Sequence, residues 1–240
     1  MRRATRPPLS KMVVNALIYP TEYQMNTDKA RFNMIEQQIR PWNVLRADML
    51  QTLSEVPREA FVPAHLKSLA FCDTAIPLGH GACMMEPRLE ARLVHDLVLS
   101  GQERVLEIGT GSGYSAALMS RHAQSVLTVE INADLAQAAQ GNLRAYTNVQ
   151  VLNADGAHAD SLSKHGPFDA ILLSGSVDLL PENLLPLLAP NGRLLAICGQ
   201  EPIMHATLVR REGTQFSREQ IWDANAPRLH HFQTRPAFTF

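Results

Sequence analysis

The stretch "RVLEIGTGSGY", residues 104 to 114, constrains this 240-residue chain more than any other. A short apolar run reads as a buried strand. Three glycines follow at 109, 111 and 113, and "SAALMSRHA" continues as a helix. Glycine accepts left-handed dihedrals and lets another group touch the main chain. A strand-to-helix turn of this kind therefore suits a ligand at the carboxyl end of a sheet. Four more apolar runs follow: "SVLTVE", "NVQVLN", "FDAILLS" and "GRLLAIC". Between them lie helical stretches, among them "PENLLPLLAP" and "ADLAQAAQGNLRAY", for which Asn132 is a ready N-cap. The alternation predicts an α/β fold: a Rossmann-like, doubly wound, mostly parallel seven-stranded sheet with helices on both faces and an N-terminal helical extension. "HATLVRR" and "SREQIWDA" predict an antiparallel edge; "RLHHFQTRPAFTF" matches no regular element.

Upstream, "KARFNMIEQQIR" and "RADMLQTLSEV" carry apolar residues at helical spacing, and Pro41 stops the first. "PRLEARLVHDLVL" reads as a helix with proline in its first turn. The expected organisation is a flexible leader over 1–25, a helical segment with a glycine- and sulfur-rich loop over 26–100, a ligand-binding core over 101–200, and edge strands with a tail over 201–240. Lys and Arg number 22 against 23 Asp and Glu, so no nucleic acid or membrane surface is expected as a partner. Cys72, Cys83 and Cys198 are too few for a disulfide framework and fit a reducing cytoplasm. No metal-ligand spacing occurs, and His230-His231 reads as a partly exposed pair. Oligomeric state is not legible.

The acids around the glycine turn narrow the ligand. The spacing is GxGxG preceded by Glu107, unlike the GxGxxG of pyrophosphate binders. A carboxylate beside the turn opposes a diphosphate and suits a cation. Glu130 ends the next strand, at the place of a ribose-binding acid. Asp155, in "NADGA", can accept from an exocyclic adenine amine or cap a helix. With Gly109, Thr110, Gly111, Gly113 and Gly156, these acids form the expected cofactor site. An amino-acid-bearing sulfonium nucleoside satisfies all of them, and the pattern resembles the class I S-adenosylmethionine-dependent methyltransferases.

The order "VPREAFVP", "IPLGHG", a segment ending in proline, a helix and then "RVLEIGTGSGY" resembles the protein-L-isoaspartate O-methyltransferase family; "FDAILLS" and "NGRLLAICG" extend the similarity over residues 34 to 200. The resemblance implies S-adenosylmethionine as cofactor, a cytoplasmic protein-repair enzyme, and transfer of a methyl group to the carboxylate of isoaspartyl residues in a protein or peptide. Where the family usually reads Gln-Thr-Ile-Ser-Gln-Pro, this chain has Ala82-Cys83-Met84-Met85-Glu86-Pro87. Cys83 and Met85 thus stand where the family's threonine and serine hydroxyls help hold the substrate. A thiol is a weak donor and a thioether none. His80, which the family shares, is expected at the cofactor edge or as a base. Ser174 is expected on the acceptor side. The segment "WDANAPRLHHFQTRPAFTF", from Trp222 on, departs from the family's closing motif. Two other readings stay open: a diverged methyltransferase for another acceptor such as a small molecule, and a cofactor-binding protein without catalysis.

Overall fold

The computed structural model describes residues 22–235; residues 1–21 of the leader expected over 1–25 and the last five residues lie outside them, and residues 22–25 belong to the first helix. Helix α1 (Glu22–Met34) runs into a π-helical turn over Ile35–Ile39, which buries Ile35 and Ile39, and Pro41 sits in the closing 3-10 turn Arg40–Trp42. Helix α2 (Ala47–Glu55) follows. A hairpin of β1 (Ile76–Gly79) and β2 (Ala82–Met84) then leads to α3 (Pro87–Asp96), with Pro87 in its first turn.

The main sheet has the order β5-β4-β3-β6-β7-β8-β9. Its parallel part consists of β3 (Arg104–Ile108), β4 (Ser125–Glu130), β5 (Val149–Asn153), β6 (Phe168–Val177) and β7 (Leu188–Gln200). Strands β8 (Ile203–Glu212) and β9 (Gln215–Asp223) add the antiparallel edge. Chain order reverses between β3 and β6, and a cleft at the carboxyl ends of those strands is where such sheets take ligands. Helices α4 (Tyr114–Ser120), α5 (Ala133–Asn142) and α6 (Ala159–Ser163) complete the crossovers. Asn132 caps α5 by accepting from the N–H groups of Asp134 and Leu135. "PENLLPLLAP" is not an α-helix. It forms a 3-10 segment, Glu182–Leu187, because Pro186 removes a backbone donor, and Leu188 already begins β7.

Two apolar clusters flank the sheet. One joins the N-terminal helices, α3 and α4 to one face, and includes Met84 and Met85; the other fills the opposite face around Leu106, Ile171 and Leu194.

Helix α3 ends on a strained residue. Val98 adopts φ 50°, the left-handed conformation usual for a glycine just past a helix end, yet its side chain is β-branched and exposed. Arg193 holds it there by donating to the carbonyls of Leu97 and Val98. Val98→Gly should relieve the clash at no loss of burial. The expected gain is about 1 kcal/mol, or a rise in Tm of roughly 2–4 °C by calorimetry. An unchanged or lower Tm would contradict the strain.

Candidate active site

Beyond Ile108 the chain turns through Gly109 (φ 95°) and Gly111 (φ 52°). Gly109 needs its bare Cα: a Cβ there would lie 2.8 Å from Leu229 and 3.3 Å from the Ser174 carbonyl. The turn is tied to the next strand. Gly109 N–H donates to the Val129 carbonyl at 2.9 Å, and Gly111 N–H donates to Glu130 Oε2 at 2.9 Å. Glu130 Oε1 accepts from Asn132 N–H at 3.0 Å. Each oxygen keeps a further lone pair, and Glu130 lines the cavity above the turn.

That cavity measures about 250 Å³. Its floor is the turn, its far wall is Asp155 and Gly156, and its near wall is Cys83, Met84 and Met85 with Glu90 and Ser115. Ser174 stands within β6, just past the last residue paired with β3. The roof is a strap formed by residues 226–232. Ser176 N–H donates to the Pro227 carbonyl at 2.7 Å, and Leu229 N–H returns to the Ser176 carbonyl at 2.9 Å, so the strap extends the sheet beside β6 where β3 has ended. Leu229 presses on Gly109 and Gly175; His231 Nδ1 reaches Asp155 Oδ2 at 2.6 Å. The strap therefore crosses the cleft from β6 to the end of β5. Sequence reading left this segment unassigned, since nothing periodic marks it.

Several expected site residues meet here: Cys83, Met85, Gly109, Thr110, Gly111, Glu130, Asp155 and Gly156 all line the cavity. Asp155 caps no α-helix; one carboxylate oxygen accepts from Ala157 N–H and the other faces His231. Burial works to raise its carboxyl, but His231 and the Ala157 N–H outweigh that and lower it.

Three expected residues stand elsewhere. His80 is at the exposed tip of the β1–β2 hairpin with φ 53°, 3.5 Å from Asp134 and outside the cavity lining. Gly113 opens α4 and packs toward Leu143, where a Cβ would sit 2.8 Å away. Glu107 is fully buried behind the turn. Strand alternation explains its place: Ile108 lines the cavity, so its neighbour faces the other side. The Glu107 oxygens accept from Ser174 Oγ at 2.6 Å and Thr128 Oγ1 at 2.7 Å. Burial pushes its carboxyl up to about 8 against those two hydrogen bonds, with the charges of Glu90 and Glu130 adding to the rise.

Beneath the sulfur-rich wall lies an ion pair that sequence reading did not single out. Arg58, completely buried, bonds to Glu90, donates to the carbonyls of Ala70 at 3.0 Å and Met85 at 2.6 Å, and stands 5.0 Å over the Tyr114 ring. Ser115 Oγ donates to the second Glu90 oxygen at 3.2 Å. Arg58 thereby fixes the main chain on which Met85 sits. Burial raises the Glu90 carboxyl, and Arg58 opposes the rise. Among the described residues no cluster of acids, histidines and cysteines could hold a metal ion.

The family model for protein-L-isoaspartate(D-aspartate) O-methyltransferase matches residues 29–222. The chain belongs to this family. It is 38% identical over 196 residues to protein-L-isoaspartate O-methyltransferase 2 of Shewanella sediminis, covering 80% of each chain. To the protein-L-isoaspartate O-methyltransferase of a Roseiflexus species it is 39% identical over 177 residues, 73% of this chain and 80% of the other. Its fold matches a Plasmodium falciparum crystal structure described as a protein-L-isoaspartate O-methyltransferase in complex with S-adenosyl-L-homocysteine. That match has TM-score 0.69 and 20% identity, and covers 84% of this chain and 96% of that one. As a family member the chain is an S-adenosylmethionine-dependent methyltransferase on a Rossmann-like fold.

Proposed function

We propose that the cavity holds S-adenosylmethionine on the glycine turn and that the enzyme methylates the free carboxylate of isoaspartyl residues in protein or peptide. The observation that carries the cofactor's place is the charge of the lining. Glu130 and Asp155 face the cavity, and among the described residues no lysine or arginine is bonded to either, which favours a ligand bearing ammonium and sulfonium charges. Glu130 is placed to accept from ribose hydroxyls and Asp155 from an adenine amine shared with His231; Gly109, Thr110, Gly111 and Gly156 bring main chain to the ligand. Bound there, the cofactor supplies a methyl group on positively charged sulfur.

What the chain itself contributes is alignment and exclusion of water. A carboxylate is already ionised near neutrality, so no general base is needed. Correct placement alone is worth roughly 7–11 kcal/mol. Met84 and Met85, both nearly buried, and Cys83, half-buried, form an apolar acceptor wall whose backbone is pinned by Arg58. Burial and the charges of Glu86 and Glu90 push the Cys83 thiol up, so it stays protonated at neutral pH. His80, outside the cavity, has no part in the transfer. Among the described residues no helix is long and apolar enough to cross a membrane, and the three cysteines are free; we assign the enzyme to the cytoplasm.

The test pairs an isoaspartyl peptide with its normal aspartyl twin and radiolabelled cofactor. Base-labile label on the isoaspartyl peptide alone is the expected result. Absence of label while the cofactor still binds would overturn the acceptor assignment.

A further inference from the structure

A line of hydroxyls and one carboxyl runs beneath the glycine turn and surfaces in the cavity at both ends. Ser174 Oγ donates to Glu107 Oε1, Thr128 Oγ1 donates to Glu107 Oε2, and Thr110 Oγ1 lies 2.6 Å from Thr128 Oγ1. Ser174 and Thr110 line the cavity; Glu107 and Thr128 do not. Each hydroxyl has one hydrogen. With Glu107 ionised, Ser174 and Thr128 both give theirs to its oxygens, and Thr110 gives its own to Thr128. Every hydrogen of the line then points inward, and the cavity meets only lone pairs. Those lone pairs repel an acceptor carboxylate.

A proton on Glu107 Oε1 reverses the first link. Glu107 then donates to Ser174 Oγ, and the Ser174 hydrogen turns into the cavity. We propose that Ser174 is the catalytic residue that holds the acceptor carboxylate, and that Glu107 is the positioning residue whose proton sets whether Ser174 donates or accepts. The proposal rests on the carboxylate acceptor argued above. It also answers a need created there, because Cys83 and Met85 offer the acceptor no strong donor. The surroundings of Glu107 favour the proton. It is fully buried, and its hydrogen-bond partners among the described residues are two neutral hydroxyls, from β4 and β6. The charged groups acting on it are Glu130 at the end of β4 and Glu90 on α3, the latter paired with Arg58. Its carboxyl is pushed up to about 8, so it holds the proton at neutral pH.

The test is the pH dependence of KM for an isoaspartyl peptide at saturating cofactor, between about pH 6 and pH 10. The peptide carboxylate is ionised throughout this range. The wild-type enzyme should hold a low KM at neutral pH, rising roughly 10- to 100-fold as pH passes about 8. In kcat the change should be much smaller. Glu107→Gln presents a permanent amide donor, so its KM should stay low and flat. Ser174→Ala should be flat at the high value, and Ser174→Thr should restore the wild-type profile. Infrared difference spectra of the protein alone should show a protonated carboxyl band that titrates over the same range and vanishes in Glu107→Gln. An alkaline rise that survives in Glu107→Gln, a Ser174→Ala enzyme with wild-type KM at neutral pH, or no protonated carboxyl band would overturn the proposal and leave the enzyme's function standing. No methylation at any pH, with cofactor still bound, would instead remove the acceptor assignment and the proposal with it.

Discussion

Arg58→Ala should cost about 3–5 kcal/mol of folding stability, a large share of the roughly 5–15 kcal/mol that holds a domain together. The guanidinium is fully buried, and the change strands three acceptors at once: the Glu90 carboxylate and the carbonyls of Ala70 and Met85. For a chain of this length the expected fall in Tm is roughly 6–20 °C. The loss should depend on pH. Burial already raises the Glu90 carboxyl, and without Arg58 it rises further. A folded-state carboxyl above its unfolded value stabilises fully below the unfolded value and loses that contribution as pH climbs through the folded one. The variant should therefore lie closest to wild type in mild acid and furthest at alkaline pH. Replacing both partners, Arg58→Met with Glu90→Leu, should recover the part of the loss due to the lone buried charge and its pH dependence, while the carbonyls of Ala70 and Met85 stay without their donor. Equal unfolding curves for wild type and Arg58→Ala would refute the role given to the pair.

The second large effect concerns Glu130. Its carboxylate ties the glycine turn through Gly111 and Asn132 and still offers lone pairs to the cavity. Glu130→Ala removes both functions. Hydrogen bonds to a charged group contribute about 1.5–3 kcal/mol each, so affinity for the cofactor should fall by about one to two orders of magnitude. Glu130→Gln keeps an acceptor oxygen and should fall less. Folding should be only mildly affected, because Gly109 and Thr110 remain bonded to Val129.

Local signals made most of the fold legible. Strands β3, β4 and β6 are apolar runs buried on both faces, and "RVLEIGTGSGY" joins strand, turn and helix within eleven residues. Asn132 announced α5, although the helix closes at Asn142, short of the expected Tyr146. What stayed hidden depends on long-range partners. Arg58 and Glu90 are paired across 32 positions, and neither stands out in its own window. The strap over 226–232 is defined by bonds to Ser176 and Asp155, fifty or more residues away. Glu107 was misplaced for a different reason: closeness to the turn in sequence says nothing about which face of a strand a side chain takes. His80 likewise shares its loop with the acceptor wall, but the Gly79-His80-Gly81 turn carries it to the outer end of the hairpin.

Calorimetric titration of the purified enzyme with S-adenosylhomocysteine tests most directly that the cavity above the glycine turn is the cofactor site. Saturable binding at one site, weakened tenfold to a hundredfold by Glu130→Ala, is the expected outcome. Affinity that Glu130→Ala leaves unchanged, or no binding to the wild-type enzyme, would contradict it.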